Sequence, residues 1–135
     1  IMSMHWKVFC VAGEASGDVI GARMMRALQL ECLQRGERVE FFGVGGRQMR
    51  AYIAPDNVLF HRERLSVMGM GWPLLAALPK LWIAKRAVVR DIHRKKPHAV
   101  ILIDSKAFNT RVARETQGLR GSTAIVQYVA PSIWA

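Results

Sequence analysis

The sequence is short of cysteine, of acidic side chains and of long apolar runs. Two cysteines, Cys10 and Cys32, stand among 135 residues and form no Cys-x-x-Cys pair. That excludes a disulfide framework and fits a reducing compartment. Cys10 lies inside the apolar run Val8–Ala12, which points to a buried free thiol. The four histidines, His5, His61, His93 and His98, are scattered without ligand spacing, so no metal site is expected. The five apolar residues before Gly13 are too few for a signal peptide, which needs a run of about 7–15. The uncharged stretch Ser66–Pro79 falls short of the ~20 residues that span a bilayer. A cytoplasmic chain that does not cross a membrane is expected, without excluding contact with a membrane surface.

Ten Asp and Glu face twenty Lys and Arg, for a net charge of +10. An excess of this size calls for an anionic partner: nucleic acid, a phosphorylated ligand or an acidic membrane surface. Only the charge supports nucleic acid, because no aromatic–basic interleaving, helix-turn-helix or zinc pattern is present. What the chain does have is apolar content: 51% of the residues, enough to exclude disorder and to build one domain.

Apolar periodicity gives the elements. Trp6–Ala12 reads as a buried strand ending at Gly13, and Asp18–Arg35 as a helix started by Ser16 or Asp18 and stopped by Gly36. Val39–Val44 is a strand closed by Gly45-Gly46, Arg47–Tyr52 a short helix and Val58–Phe60 a strand. Pro79–Lys96 reads as a long helix with proline in its first turn. Ala99–Ile103 is a fully apolar, β-branched run, the mark of a central parallel strand. Phe108–Thr116 reads as a helix and Thr123–Val129 as the last strand. Alternating strands and helices imply an α/β fold, a Rossmann-like parallel sheet with helices on both faces.

Several stretches carry chemistry beside a plainer structural reading. Gly13-Glu14-Ala15-Ser16-Gly17-Asp18 follows the first strand and opens the first helix. It is neither G-x-G-x-x-G nor a P-loop. Its acidic side chains oppose a bare pyrophosphate but suit sugar hydroxyls; the plain reading is a tight turn with Asp18 as N-cap. Gly43–Gly46 allows close approach of a ligand or backbone, or supplies a positive φ to a turn. Asp104 directly follows Ala99–Ile103, at the carboxyl edge where open parallel sheets bind ligands. There it is a general base or the N-cap of the next helix, a job Ser105 can share.

Lys80–Lys96 holds seven basic residues and one acidic residue, a balance of +6. At helical spacing Leu78, Leu81, Trp82, Val88, Val89 and Ile92 share one side, and Lys80, Arg86, Arg90 and Arg94 the other. The apolar stripe packs on the sheet, and the basic face is solvated or meets phosphates. Lys85 falls in the stripe, with its stem buried and its amine expected to reach outward. Before this helix, Leu65–Leu75 is an uncharged Met/Trp/Gly stretch: a buried loop, or a flexible one that holds acyl chains.

Taken together, these residues resemble the lipid-A-disaccharide synthase family. The matching stretches are Val11–Asp18, Phe42–Gly46 with Met49, Leu65–Gly69, Lys96-Pro97 leading to Ile103-Asp104, Phe108-Asn109, and Tyr128–Ala135. They follow the family's order and its approximate spacing. The resemblance implies the N-terminal, acceptor-side half of a two-domain GT-B glycosyltransferase, with the sugar-nucleotide domain lying outside residues 1–135. It implies an inverting transfer from UDP-2,3-diacylglucosamine to 2,3-diacylglucosamine 1-phosphate, with no cofactor and no metal. Asp104 matches the family's essential aspartate and is implied as base. Gly13, Glu14, Ser16, Gly17, Asp18, Gly45, Gly46, Met68, Asn109 and Ser132 are implied to bind substrate. Lys80, Arg86, Arg90 and Arg94 would meet phosphates at the inner face of a bacterial inner membrane. Two departures stand out: the family's Pro-Asp is Lys106-Ala107 here, and the serine before Pro131-Ser132 is Ala130. The chain by itself is expected to be inactive. The alternative is a non-catalytic domain that docks on anionic lipid.

Overall fold

The computed structural model describes residues 4–13, 15–61, 74–103, 112–119 and 122–128, with the side chains at 61, 74–82 and 119 outside that description. Five strands form one sheet: β1 (His5–Ala12), β2 (Arg38–Gly45), β3 (Val58–His61), β4 (Ala99–Ile103) and β5 (Ala124–Tyr128). Their order is β3-β2-β1-β4-β5, and every neighbouring pair is parallel. Helix α1 (Ala15–Gln34) joins β1 to β2, the short α2 (Arg47–Arg50) follows β2, and α3 (Leu74–Lys95) precedes β4. A further helical turn covers 112–115, between β4 and β5.

Strand periodicity sorts the core into two layers. Phe9, Val11, Phe42, Val44, Val100 and Leu102 face Ala84, Val88 and Ile92 of α3 and Val112. Val8, Cys10, Ala12, Phe41, Ile101 and Ile103 face Ala22 and Met25 of α1, Met49 of α2 and Ile53. Both faces of β1 and β4 are therefore covered, which is why these strands read as continuous apolar runs rather than alternating ones. Each fully buried large side chain contributes about 1.5–3 kcal/mol relative to exposure. The result is the Rossmann-like α/β sandwich expected from the element order.

Two helix starts differ from expectation. Helix α1 starts at Ala15, so Asp18 lies inside its first turn rather than capping it. Helix α3 starts at Leu74, so Pro79 lies inside the helix and not in its first turn. Leu74 and Leu75, read from sequence as the end of an apolar loop, are helical. Pro79 removes one donor from the helix ladder and sets its ring against the carbonyl four residues back. The end of α1 is as expected: Gly36 has φ +70°. Its N–H donates to the Leu33 carbonyl at 3.1 Å, and the Glu37 N–H to the Cys32 carbonyl at 2.8 Å. That pair of bonds is a Schellman cap, which satisfies the last carbonyls of the helix.

Lys85 also departs from its expected place. Its amine does not reach for water; it pairs with the Glu115 carboxylate and leaves the side chain 12% exposed. The His93 ring meets the Glu115 carbonyl at 3.3 Å. Together they join α3 to the 112–115 turn, the two helical pieces on one face of the sheet.

Candidate functional site at the sheet switch point

Strand β1 lies between β2 and β4, and the chain leaves it in one direction and returns from β3 on the other side. In an open parallel sheet this reversal opens a crevice beyond the carboxyl ends of the two central strands. The register pairs Ala12 of β1 with Ile103 of β4. Gly13 and Asp104, the next residues in sequence, thus follow strand ends that lie at one level.

The rim of the crevice is built by close packing. Gly17, in the first turn of α1, packs in ordinary contact with the end of β4: a Cβ there would sit 3.4 Å from both Ile103 Cγ2 and the Ile103 carbonyl oxygen. One turn on, a Cβ at Gly21 would lie 2.6 Å from Met49 Sδ and 2.9 Å from Ile103 Cδ1. Met49 is fully buried and fills the corner between α1, α2 and β4. A Cβ at Gly45 would meet Met49 Cβ at 2.6 Å. These glycines let α1 and α2 approach the sheet, and the sequence signal for Gly21 was its place four residues after Gly17 on one helical face.

Asp18 holds the two turns together. The residue is 7% exposed. Oδ1 accepts the backbone N–H groups of Gly46 at 2.8 Å and Met49 at 2.9 Å, and Oδ2 that of Gln48 at 3.0 Å. These are the unpaired donors at the start of α2, whose own cap residue Gly46 offers no side chain. Asp18 therefore caps a helix, but α2 rather than its own. Gly45 is occupied as well, its carbonyl accepting Arg50 Nη1 at 2.8 Å. Asp18 and Gly46 are joined across the rim and Gly45 is held by Arg50, while Gly13 and Gly17 are buried and Ser16 is exposed.

The remaining residues singled out from sequence divide in two. Glu14, Met68, Asp104, Asn109 and Ser132 lie outside the described residues, as does the stretch 65–73, and of Lys80 only the helical backbone is described. Arg86, Arg90 and Arg94 lie exposed on α3. Arg94 pairs at 3.0 Å with the buried Asp91, which also holds Lys95 at 3.0 Å. Lys95 in turn sits 4.8 Å over the Phe42 ring. Part of the basic face is thus neutralised locally, and Asp91, the acidic residue of this run, is where it is anchored to the helix.

Neither cysteine suits nucleophilic chemistry. Burial alone pushes the Cys10 thiol well above its ordinary range. Burial also raises Cys32, with the Glu37 carboxylate adding and Arg35 opposing. A raised pKa keeps both as thiols at neutral pH, where the thiolate is the reactive form. Ellman's reagent is expected to label neither in the folded protein and both after denaturation. Rapid labelling of Cys10 in the native state would contradict its placement in the sheet.

Fold and topology define a doubly wound α/β domain whose switch point lies between β1 and β4. The family model for lipid-A-disaccharide synthetase matches residues 8–135, and the chain belongs to that family. Lipid-A-disaccharide synthase of Azotobacter vinelandii is 40% identical over 129 residues, covering 96% of this chain and 32% of the relative. That of Paramagnetospirillum magneticum is 38% identical over 128 residues, covering 95% and 31%. That of Chlamydia muridarum is 38% identical over 129 residues, covering 94% and 20%. The chain thus spans a fifth to a third of the length of these relatives. Among the described residues no helix is long and apolar enough to cross a membrane.

Proposed function

We propose that the intact protein is an inverting GT-B glycosyltransferase that joins UDP-2,3-diacylglucosamine to 2,3-diacylglucosamine 1-phosphate, releasing the lipid A disaccharide and UDP. The observation that supports this best is the register of Ala12 with Ile103. It brings together, at the switch point, the two strand ends from which the family's Gly-Glu-x-Ser-Gly-Asp turn and its aspartate continue in sequence.

In this reading Asp104 takes the proton from the acceptor's 6-hydroxyl. The oxygen then attacks the anomeric carbon of the donor, UDP leaves, and the configuration inverts. A base held beside a reacting hydroxyl contributes about 10²–10⁴ in rate. Gly13, Glu14 and Ser16 face the sugar, while Gly17, Asp18, Gly45 and Gly46 shape the rim they stand on. Met68 and its apolar neighbours take acyl chains, and Asn109 and Ser132 contact substrate. Lys80, Arg86, Arg90 and Arg94 attract the phosphates of an anionic membrane surface, so the protein works peripherally at the inner face of the inner membrane. The chemistry is proton transfer and displacement and needs neither metal nor cofactor. A second Rossmann-like domain, beyond residues 1–135, contributes the sugar-nucleotide contacts.

The test is direct. The intact protein, given both substrates in detergent micelles, is expected to yield disaccharide and UDP, and residues 1–135 alone neither. Absence of disaccharide from the intact protein would reject the transferase reading. Salt-sensitive binding to anionic vesicles without transfer would favour a domain that only docks on lipid, a reading supported by the exposed arginines of α3 and by Lys106-Ala107.

A further inference from the structure

We propose that Asp18 is a positioning residue for the transfer. Its carboxylate is a built-in anion that fills an amide nest at the start of α2, and in doing so it locks the first turn of α1 against the end of β4. The inference rests on the transferase reading given above.

The amides of Gly46, Gln48 and Met49 converge on one point, the geometry by which backbone turns bind anions. Here the occupant comes from the protein itself, from 28 to 31 residues away in the chain. Helix α2 has no acidic residue in its own first turn and no side-chain cap. Without Asp18 the nest has no negative charge from its own element. With Asp18 its N–H groups are satisfied by a buried carboxylate, and a ligand phosphate has no access to them. The same carboxylate is withdrawn from the crevice, because its two oxygens share the three donors and the residue is buried. Asp18 thus acts through the turn rather than on the sugar.

What the tie controls follows from its neighbours. Gly17, adjacent to Asp18, stands where a Cβ would be 3.4 Å from the Ile103 carbonyl oxygen. Met49, whose N–H the carboxylate holds, packs against Gly21 and close to Ile103. The turn that carries Ser16 is thereby fixed against the residue that precedes Asp104. A shift of about 1 Å in such a contact can cost about 10² in rate without abolishing binding.

The experiment uses the full-length enzyme carrying Asp18→Ala or Asp18→Asn, with kcat, acceptor KM and melting temperature measured with and without sodium formate. Asp18→Ala is expected to lower kcat about ten- to hundredfold, with KM changed less than about threefold. Formate, a carboxylate small enough to enter the vacated nest, is expected to restore part of kcat and of the melting temperature in Asp18→Ala and to change neither in the wild type. Asp18→Asn keeps the shape but turns an NH₂ toward N–H donors, so an intermediate kcat that formate does not restore is expected. This variant carries the kcat–KM comparison should Asp18→Ala fail to fold. Wild-type kcat in a folded Asp18→Ala or Asp18→Asn would overturn the proposal. So would a loss in Asp18→Ala that formate leaves unchanged, or one expressed in KM alone. A wild-type enzyme that transfers no sugar would instead reject the transferase reading, and the positioning role with it.

Discussion

Replacing Gly43 by alanine is expected to leave no cooperative unfolding transition, or to lower the melting temperature by more than about 15 °C. Gly43 sits inside β2, paired with Cys10 of β1, yet its φ is +126°. A Cβ there would lie 2.0 Å from the Cys10 carbonyl oxygen. The obstacle is backbone in the middle of a five-stranded sheet, so no side chain can swing aside to make room. The register between β2 and β3 also shifts between Gly43 and Val44, an irregularity that this backbone conformation accommodates. Relief would require β1 and β2 to part. That loss competes with a total stability of about 5–15 kcal/mol. Gly36→Ala is the matched control. Its φ is +70°, and nothing lies within 4 Å of the added Cβ, so a cost of only about 1–2 kcal/mol is expected. Circular dichroism melts of the two variants beside the parent decide the matter. Similar melting temperatures for Gly36→Ala and Gly43→Ala would mean that the close approach to Cys10 is wrong.

Asp104→Asn in the full-length enzyme is expected to lower turnover by about 10²–10⁴ while leaving the fold intact. Asparagine keeps the size and most of the polarity of the side chain but cannot accept the proton of an attacking hydroxyl. The position follows from topology: Ile103 ends β4 level with Ala12 at the end of β1, where the sheet reverses direction. Acceptor KM should change little if the residue acts on the proton rather than on binding. Near-normal turnover would remove Asp104 as base. A parallel collapse of the melting temperature would assign the residue to the N-cap that its sequence position equally allows.

These two substitutions show how unevenly the molecule was legible beforehand. Ala99–Ile103 had to be a central strand because a β-branched, wholly apolar pentamer has nowhere else to go in an alternating α/β chain. Its carboxyl end therefore had to lie at the edge where open parallel sheets bind ligands. Gly43 was legible only as a glycine that something approaches. Whether that something is a ligand, a turn or the backbone of Cys10 depends on a strand pairing formed across 33 positions in the sequence, and local pattern does not carry that register. Asp18 is the sharper case. Its type and place at the start of α1 matched an N-cap, but the unpaired N–H groups closest to it in space belong to α2. Lys85 follows the same logic: a long basic side chain in an apolar stripe was expected to reach water, and the partner that stopped it, Glu115, is on a different element.

The sequence by itself determined the alternation of elements, the apolar faces, the caps at Gly36, the basic face of α3 and the family. All of these depend on spacing within one segment or on motifs read along it. The tertiary structure alone decided the strand order, the switch point, the close approaches at Gly21, Gly43 and Gly45, and the placing of the Asp18 carboxylate on the amides of α2. The physical reason is common to them: each depends on which distant backbone groups are brought within about 3–4 Å, where sterics and hydrogen bonding act.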